Sequence, residues 1–155
     1  MGIEIERKFL VDHDQWEHLA RPQGVILKQG YLIVEANKTI RVRTTGKQAY
    51  ITFKGAASGI SRAEYEYEIP VQDGIELVEQ FAKSIIHKTR YCISFANKVW
   101  EVDVFEGDNE GLIVAEIELE AEDELIELPP WVTQEVTNRE EYYNSSLSVH
   151  PFKSW

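Results

Sequence analysis

The sequence predicts an all-β-dominated α+β fold: a closed eight-stranded antiparallel β-barrel enclosing a tunnel, with helices packed on the outside. Three observations predict it. Eight segments alternate with period two, which places successive side chains on opposite faces of a strand. Six of the eight carry a pair, triplet or quartet of charges on one face and apolar residues on the other. Those charges segregate by sign into a cationic and an anionic set, which loosely mixed solvent-facing sheets do not require.

The first strand runs from Met1 to Val11. Glu4, Glu6 and Lys8 share one face, and Ile3, Ile5, Phe9 and Val11 share the other, interrupted by Arg7. Asp12 or Asp14 caps a short helix to Ala20, with Trp16, Leu19 and Ala20 on one side. His13 and His18 read as surface residues, since i, i+5 is a poor spacing for a shared metal. The second strand spans 25–34 and the third spans 39–44, where Arg41 and Arg43 share a face. A fourth strand, 49–54, carries Tyr50, Thr52 and Lys54 together. The small residues of 55–59 are expected to form a flexible loop, without the GK[ST] ending of a phosphate cradle. The fifth strand, 60–70, sets Arg62, Glu64, Glu66 and Glu68 against Ala63, Tyr65, Tyr67 and Ile69.

Asp73 is expected to cap a helix to about Lys83 whose core stripe is Ile75, Val78, Phe81 and Ala82. The sixth strand, 86–95, carries Lys88, Arg90 and Cys92 on one face, and the seventh, 99–105, carries Glu101 and Asp103. The eighth, 112–120, places Glu116, Glu118 and Glu120 opposite Ile113, Ala115, Ile117 and Leu119. The acidic run 120–127 reads as a surface helix or loop, 138–144 as a short helix, and Phe152 to Trp155 as a docking tail.

A length of 155 residues suits one domain, 1–155, with a single core. A net charge of −11 argues against nonspecific nucleic-acid or anionic-membrane partners, which need a basic footprint. Cys92 is the lone cysteine, so no intramolecular disulfide forms, which fits a reducing cytoplasmic setting. No run approaches a membrane span or a signal segment. The chain is expected to be a monomer or a homodimer; the pattern does not choose.

Two arrangements satisfy the alternation: an open sheet wet on its charged side, and a barrel with the charged faces turned inward. The sign segregation favours the barrel. So does the cationic set of Lys8, Arg41, Arg43, Lys54, Arg62, Lys88 and Arg90, in which Arg outnumbers Lys. Arg offers a planar fork that suits phosphate oxygens. Burying so many charges requires pairing, hydration or metal. The tunnel is therefore expected to hold water and a small polyanion. Its carboxylates, all oxygen donors, suit Mg²⁺ or Mn²⁺.

Glu4-x-Glu6-x-Lys8 resembles the ExExK signature of the CYTH superfamily, the triphosphate tunnel metalloenzymes. Arg41-x-Arg43, Lys54, Glu64-x-Glu66, Lys88-x-Arg90, Asp103 and Glu116-x-Glu118 follow in the family's order, and the resemblance spans essentially the whole chain. Gln29-Gly-Tyr-Leu32, Lys88-Thr-Arg-Tyr91 and Glu135-Val-Thr137 are similar to small bacterial members. The chain departs at Glu141, where such members tend to carry Arg. The resemblance implies metal-dependent hydrolysis of a triphosphate in the tunnel. Arg41, Arg43, Lys54, Lys88 and Arg90 would bind substrate, with Arg62 at the mouth. Glu4, Glu6, Glu116 and Glu118 would hold metal, with Glu64, Glu66 and Asp103 as further ligands. Lys8, beside Glu4 and Glu6, would act on water or the scissile end. Short loops favour inorganic tripolyphosphate or a promiscuous triphosphatase. A class IV adenylate cyclase, a thiamine triphosphatase and a polyphosphate- or nucleotide-binding module remain as alternatives.

Overall fold

Alternation becomes architecture through backbone pairing, and all eight expected strands form in the computed structural model, which describes residues 2–155. They are β1 (Gly2–Val11), β2 (Val25–Glu35), β3 (Lys38–Thr44), β4 (Ala49–Ser58), β5 (Ser61–Ile69), β6 (Ser84–Phe95), β7 (Lys98–Phe105) and β8 (Ile113–Glu118). Met1 lies outside the described residues. Neighbours in the sheet run β5-β4-β3-β2-β6-β7-β8-β1, and β1 pairs back onto β5. Every pairing is antiparallel. Closure removes the free edges that an open sheet would expose to other chains.

β1 is the closing stave. Its N-terminal half meets β5 through Gly2↔Glu64 and Glu4↔Arg62, and its middle meets β8 through Glu6↔Glu118 and Lys8↔Glu116. β5 leaves β1 after Ile5. Beyond that point a ninth strand that the alternation did not predict, β9 (Val132–Glu135), pairs with Phe9 and Val11. Arg7 clasps it there, donating from Nε and Nη2 to the two Glu135 oxygens at 2.9 and 2.7 Å. Four residues with no alternation carry no strand signal; pairing to β1 makes them one.

The apolar faces of β1, β7 and β8 bury a core outside the tunnel. Phe9, Trp100 and Trp131 meet edge to face at 5.5 and 5.9 Å between ring centres. Trp100 is fully buried there, which gives it a packing role; truncation to Ala would cost about 3–5 kcal/mol. α1 (His13–His18) caps this side, with Asp12 Oδ1 accepting the Gln15 N–H at 2.9 Å and Trp16 buried.

Several local expectations change. Residues 55–58 are not a loop: β4 continues through them with a bulge between Lys54 and Ala57, and Ala57 and Ser58 pair with Arg62 and Ser61. Small side chains let the strand bend without clash. α2 (Val71–Phe81) starts two residues before Asp73, with Pro70 at its cap position, so Asp73 lies in the first turn. Its buried residues are Gly74 and Val78, while Ile75 and Phe81 stay exposed. Close approach explains the shifted stripe. A side chain at Gly74 would press into Ala49, and one at Gly30 would meet Ala82 and Val78 at 2.9–3.0 Å. Glycines on helix and barrel thus let α2 sit low on β2, β3 and β4.

The acidic run 120–127 is an irregular exposed segment. The short helix expected at 138–144 is split into a 3-10 turn, Glu140–Tyr142, and a single helical turn, α3 (Asn144–Leu147). The tail docks: Trp155 packs edge-on to Tyr142 and Phe152, each at 5.2 Å. Helical cover of the barrel is partial, since Ile3, Phe53, Tyr65 and Tyr67 on β1, β4 and β5 remain exposed. No described helix is long and apolar enough to cross a membrane.

Candidate active site in the barrel

The charged faces point inward and line one cavity of about 250 Å³. All seven cations of the predicted set line it: Lys8, Arg41, Arg43, Lys54, Arg62, Lys88 and Arg90. Seven carboxylates face them: Glu4, Glu6, Glu64, Glu66, Glu101, Glu116 and Glu118. The wall is polar on every strand because each contributes its period-two face, and closure turns those faces toward one another.

Pairing keeps these charges tolerable. Lys54 Nζ lies 3.2 Å from Glu4 and 3.3 Å from Glu64. Glu66 accepts from Thr52 at 2.9 Å and from Arg43 at 3.3 Å, with Arg41 at 3.8 Å. Arg90 forks onto Asp103 at 2.7 and 2.9 Å and reaches Glu101 at 3.1 Å. Lys88 donates to Asp103 at 2.6 Å and to Asn144 Oδ1 at 2.9 Å. Arg62 lines the cavity as expected while its Nε is tied to the Gly55 carbonyl at 2.6 Å.

Asp103, expected among the metal ligands, is fully buried and does not line the cavity. Both its oxygens are engaged by Lys88 and Arg90. Asp103 is the counter-ion that holds these two cations in place. Burial opposes its ionisation, yet the Arg90 and Lys88 charges outweigh it and keep the carboxyl below its ordinary value.

The carboxylates near β1 behave differently. Burial pushes the Glu6 carboxyl well above its ordinary value, and the Glu116 and Glu4 charges push the same way. Burial, then a hydrogen bond with Glu4, raises Glu64 to about 7. At Glu4 burial is outweighed by Lys54 and by hydrogen bonds from Glu64 and Glu6, and the carboxyl stands at about 2. At Glu116 burial is outweighed by Lys8 and by a hydrogen bond from Glu6, which hold it well below. Carboxyls crowded in this way resist ionising together unless a cation lies between them. That crowding fits a divalent ion, which would offset the mutual repulsion. Among the described residues no three acidic, histidine or cysteine side chains are placed to hold a metal ion together. An open site held by a few carboxylates, completed by phosphate oxygens and water, is how Mg²⁺ usually binds.

The cations are less than fully satisfied. Arg41 Nε is buried without a hydrogen-bond partner. Burial lowers Arg43, and repulsion from Arg41 and Arg90 lowers it further. Burial likewise brings Lys88 down to about 7, against the pull of Asp103. A polyanion would relieve all three effects at once.

Alternation missed the C-terminal contribution. Thr137, Asn138, Tyr143, Asn144 and Ser145 also line the cavity, where β1 and β5 no longer pair. Lys8 Nζ donates to the Tyr142 carbonyl at 3.4 Å. The segment has no periodicity, and a strand-based reading has nothing to find there. Glu141, the departure from the pattern, is exposed and paired with Arg139 at 2.7 Å. It does not line the cavity; Tyr143 and Asn144 do.

A closed antiparallel barrel with seven cations and seven carboxylates around a small cavity defines a tunnel protein for a compact polyanion. The chain belongs to the CYTH family: the CYTH domain model matches residues 2–151. It is similar to an inorganic triphosphatase of Acetivibrio thermocellus, 46% identical over 156 positions, covering 100% of this chain and 99% of the relative. It also resembles an inorganic triphosphatase of Nitrosomonas europaea, 34% identical over 154 positions, covering 94% and 97%. A solved inorganic triphosphatase structure superposes with a TM-score of 0.64 at 32% identity, covering 94% of this chain and 97% of the other.

Proposed function

We propose that this chain hydrolyses a linear triphosphate in its barrel cavity, with inorganic tripolyphosphate as the preferred substrate and Mg²⁺ or Mn²⁺ as the metal. The observation that carries the reading is the set of converging cations around Arg41, whose buried Nε has no partner. Relatives named inorganic triphosphatase, matched over nearly their full length, support it.

Phosphoryl transfer depends mainly on positioning and charge stabilisation. Arg41, Arg43 and Arg90 offer guanidinium forks to the phosphate oxygens, and Lys54 and Lys88 add point charges. Glu4, Glu6, Glu116 and Glu118, with Glu64 beside them, would hold a divalent ion that neutralises phosphate charge and makes an attacking water more acidic. Glu66 holds Arg43 and Arg41 in position rather than sharing that role. Lys8 is buried; burial lowers its pKa, but Glu116, Glu6 and Asp103 outweigh it and raise it, so it stays an ammonium. It therefore serves as a hydrogen-bond donor to water or to the departing phosphate.

Phosphate release from tripolyphosphate, ATP and thiamine triphosphate, each with Mg²⁺, Mn²⁺ or EDTA, tests the reading. The expected result is rapid, metal-dependent release from tripolyphosphate. Cyclic AMP from ATP with no release from tripolyphosphate would overturn it, as would tight metal-free tripolyphosphate binding without cleavage.

A further inference from the structure

Two aromatic side chains stand among the fourteen charges of the cavity, Tyr31 on β2 and Tyr143. Tyr143 comes from the C-terminal segment, not from a barrel strand. Its ring lies under two cations: Lys8 Nζ is 5.5 Å from the ring centre and Arg62 Cζ is 5.9 Å away, within cation–π range. Backbone anchors hold it there. Tyr143 N–H donates to the Glu140 carbonyl at 3.0 Å, and the Tyr143 carbonyl accepts the Leu147 N–H at 2.9 Å. Leu147 is fully buried, and the preceding Tyr142 is pinned by Lys8 and by the ring of Trp155. The backbone is thus fixed on both flanks of Tyr143, which sets where its ring enters the cavity.

We propose that Tyr143 is a specificity-determining residue: its ring fills the space beside Lys8 and Arg62, admitting a bare phosphate chain and refusing an organic group on its end. The inference rests on the triphosphatase reading above and names the feature that sets its substrate class. Two observations favour exclusion over base stacking. The ring already has an ammonium and a guanidinium over it, so a stacked base would displace a charge that the phosphates need. The cavity, at about 250 Å³, lies below the ~300–1,000 Å³ typical of pockets that enclose larger organic ligands. Tyr143 touches no reacting atom in this scheme. It acts by occupying volume.

The test is the ratio of kcat/KM for ATP to kcat/KM for tripolyphosphate, with Mg²⁺, in the wild type, Tyr143→Ala and Tyr143→Phe. Removing the ring is expected to raise the ratio by about tenfold or more, the scale at which pocket shape discriminates. Tyr143→Phe keeps the ring and should stay within about twofold of the wild-type ratio. Equal losses on both substrates in Tyr143→Ala would mark a merely structural residue and overturn the proposal. A larger loss on ATP would overturn it too, by showing a stacking platform. If the Ala variant does not melt cooperatively, Tyr143→Leu replaces it and should raise the ratio in the same direction. A wild type that released no phosphate from tripolyphosphate would sink the underlying reading instead. Calorimetric dissociation constants for ATP and tripolyphosphate would then judge Tyr143 by the same ratio.

Discussion

Asp103 accepts the Lys88 ammonium at 2.6 Å where neither side chain meets solvent, and the same carboxylate takes the fork of Arg90. One residue on β7 thereby fixes two cations on β6. Asp103→Asn strips Lys88 of its carboxylate partner and leaves Arg90 only Glu101 and Glu116, and is expected to destabilise the fold by about 3–5 kcal/mol. KM for tripolyphosphate should rise while the half-saturating Mg²⁺ concentration stays put. Urea unfolding and metal titrations of activity measure these effects. A large rise in half-saturating Mg²⁺ would return Asp103 to the metal site.

Glu6 is held among carboxylates rather than cations, and the expected response is the opposite. Glu6→Gln keeps the shape and removes the repulsion with Glu116 and Glu4. The metal-free protein should be as stable as the wild type or more so, yet turnover should fall by about a hundredfold or more. Mg²⁺ should also raise its Tm less than it raises that of the wild type. Glu4→Gln should cut turnover on the same scale, with a modest loss of stability because its ion pair with Lys54 goes too, Glu64 remaining as a Lys54 partner. Full activity in both variants would exclude a metal-holding wall on β1.

The Arg7–Glu135 clasp gives a pH dependence whose sign can be worked out. The hydrogen bonds from Arg7 hold the Glu135 carboxyl below its ordinary 4.5. The folded chain therefore binds this proton less readily than the unfolded chain. The clasp's contribution is complete above pH 4.5 and is lost as pH falls through the lower folded value. The pair is partly exposed, so its share is small. Thermal melts taken from about pH 7 down to about pH 3 should show a steeper loss of Tm in the wild type than in Glu135→Gln. Parallel curves would show that the clasp adds nothing.

Gly74 closes the first turn of α2, where Ala would gain at most about 1 kcal/mol of helix propensity. The barrel overrides that gain. An added methyl presses into Ala49 and comes within 3.3 Å of Thr44. Gly74→Ala is expected to lose about 1–3 kcal/mol net by overpacking, read from the urea midpoint. Stabilisation instead would mean that α2 can ride higher on the sheet.

Period-two alternation determined the eight strands, the split between charged and apolar faces, and every cation that lines the cavity. It did so because side-chain parity is a local property of extended backbone. Parity does not say which side is in. Only the pairing of β1 with both β5 and β8 turned the charged faces of Glu4, Glu6 and Lys8 inward. Nor does parity separate Glu101, which lines the cavity, from Asp103, two residues along the same face and sealed between Lys88 and Arg90. Cross-strand register decides that, because it sets Arg90 directly opposite Asp103. The C-terminal side of the cavity, Tyr143 above all, has no period to read. Its place comes from a backbone held by β1 and by the packing of Tyr142 and Leu147. Local sequence therefore chose the chemistry of the wall, and closure of the barrel chose what that wall encloses.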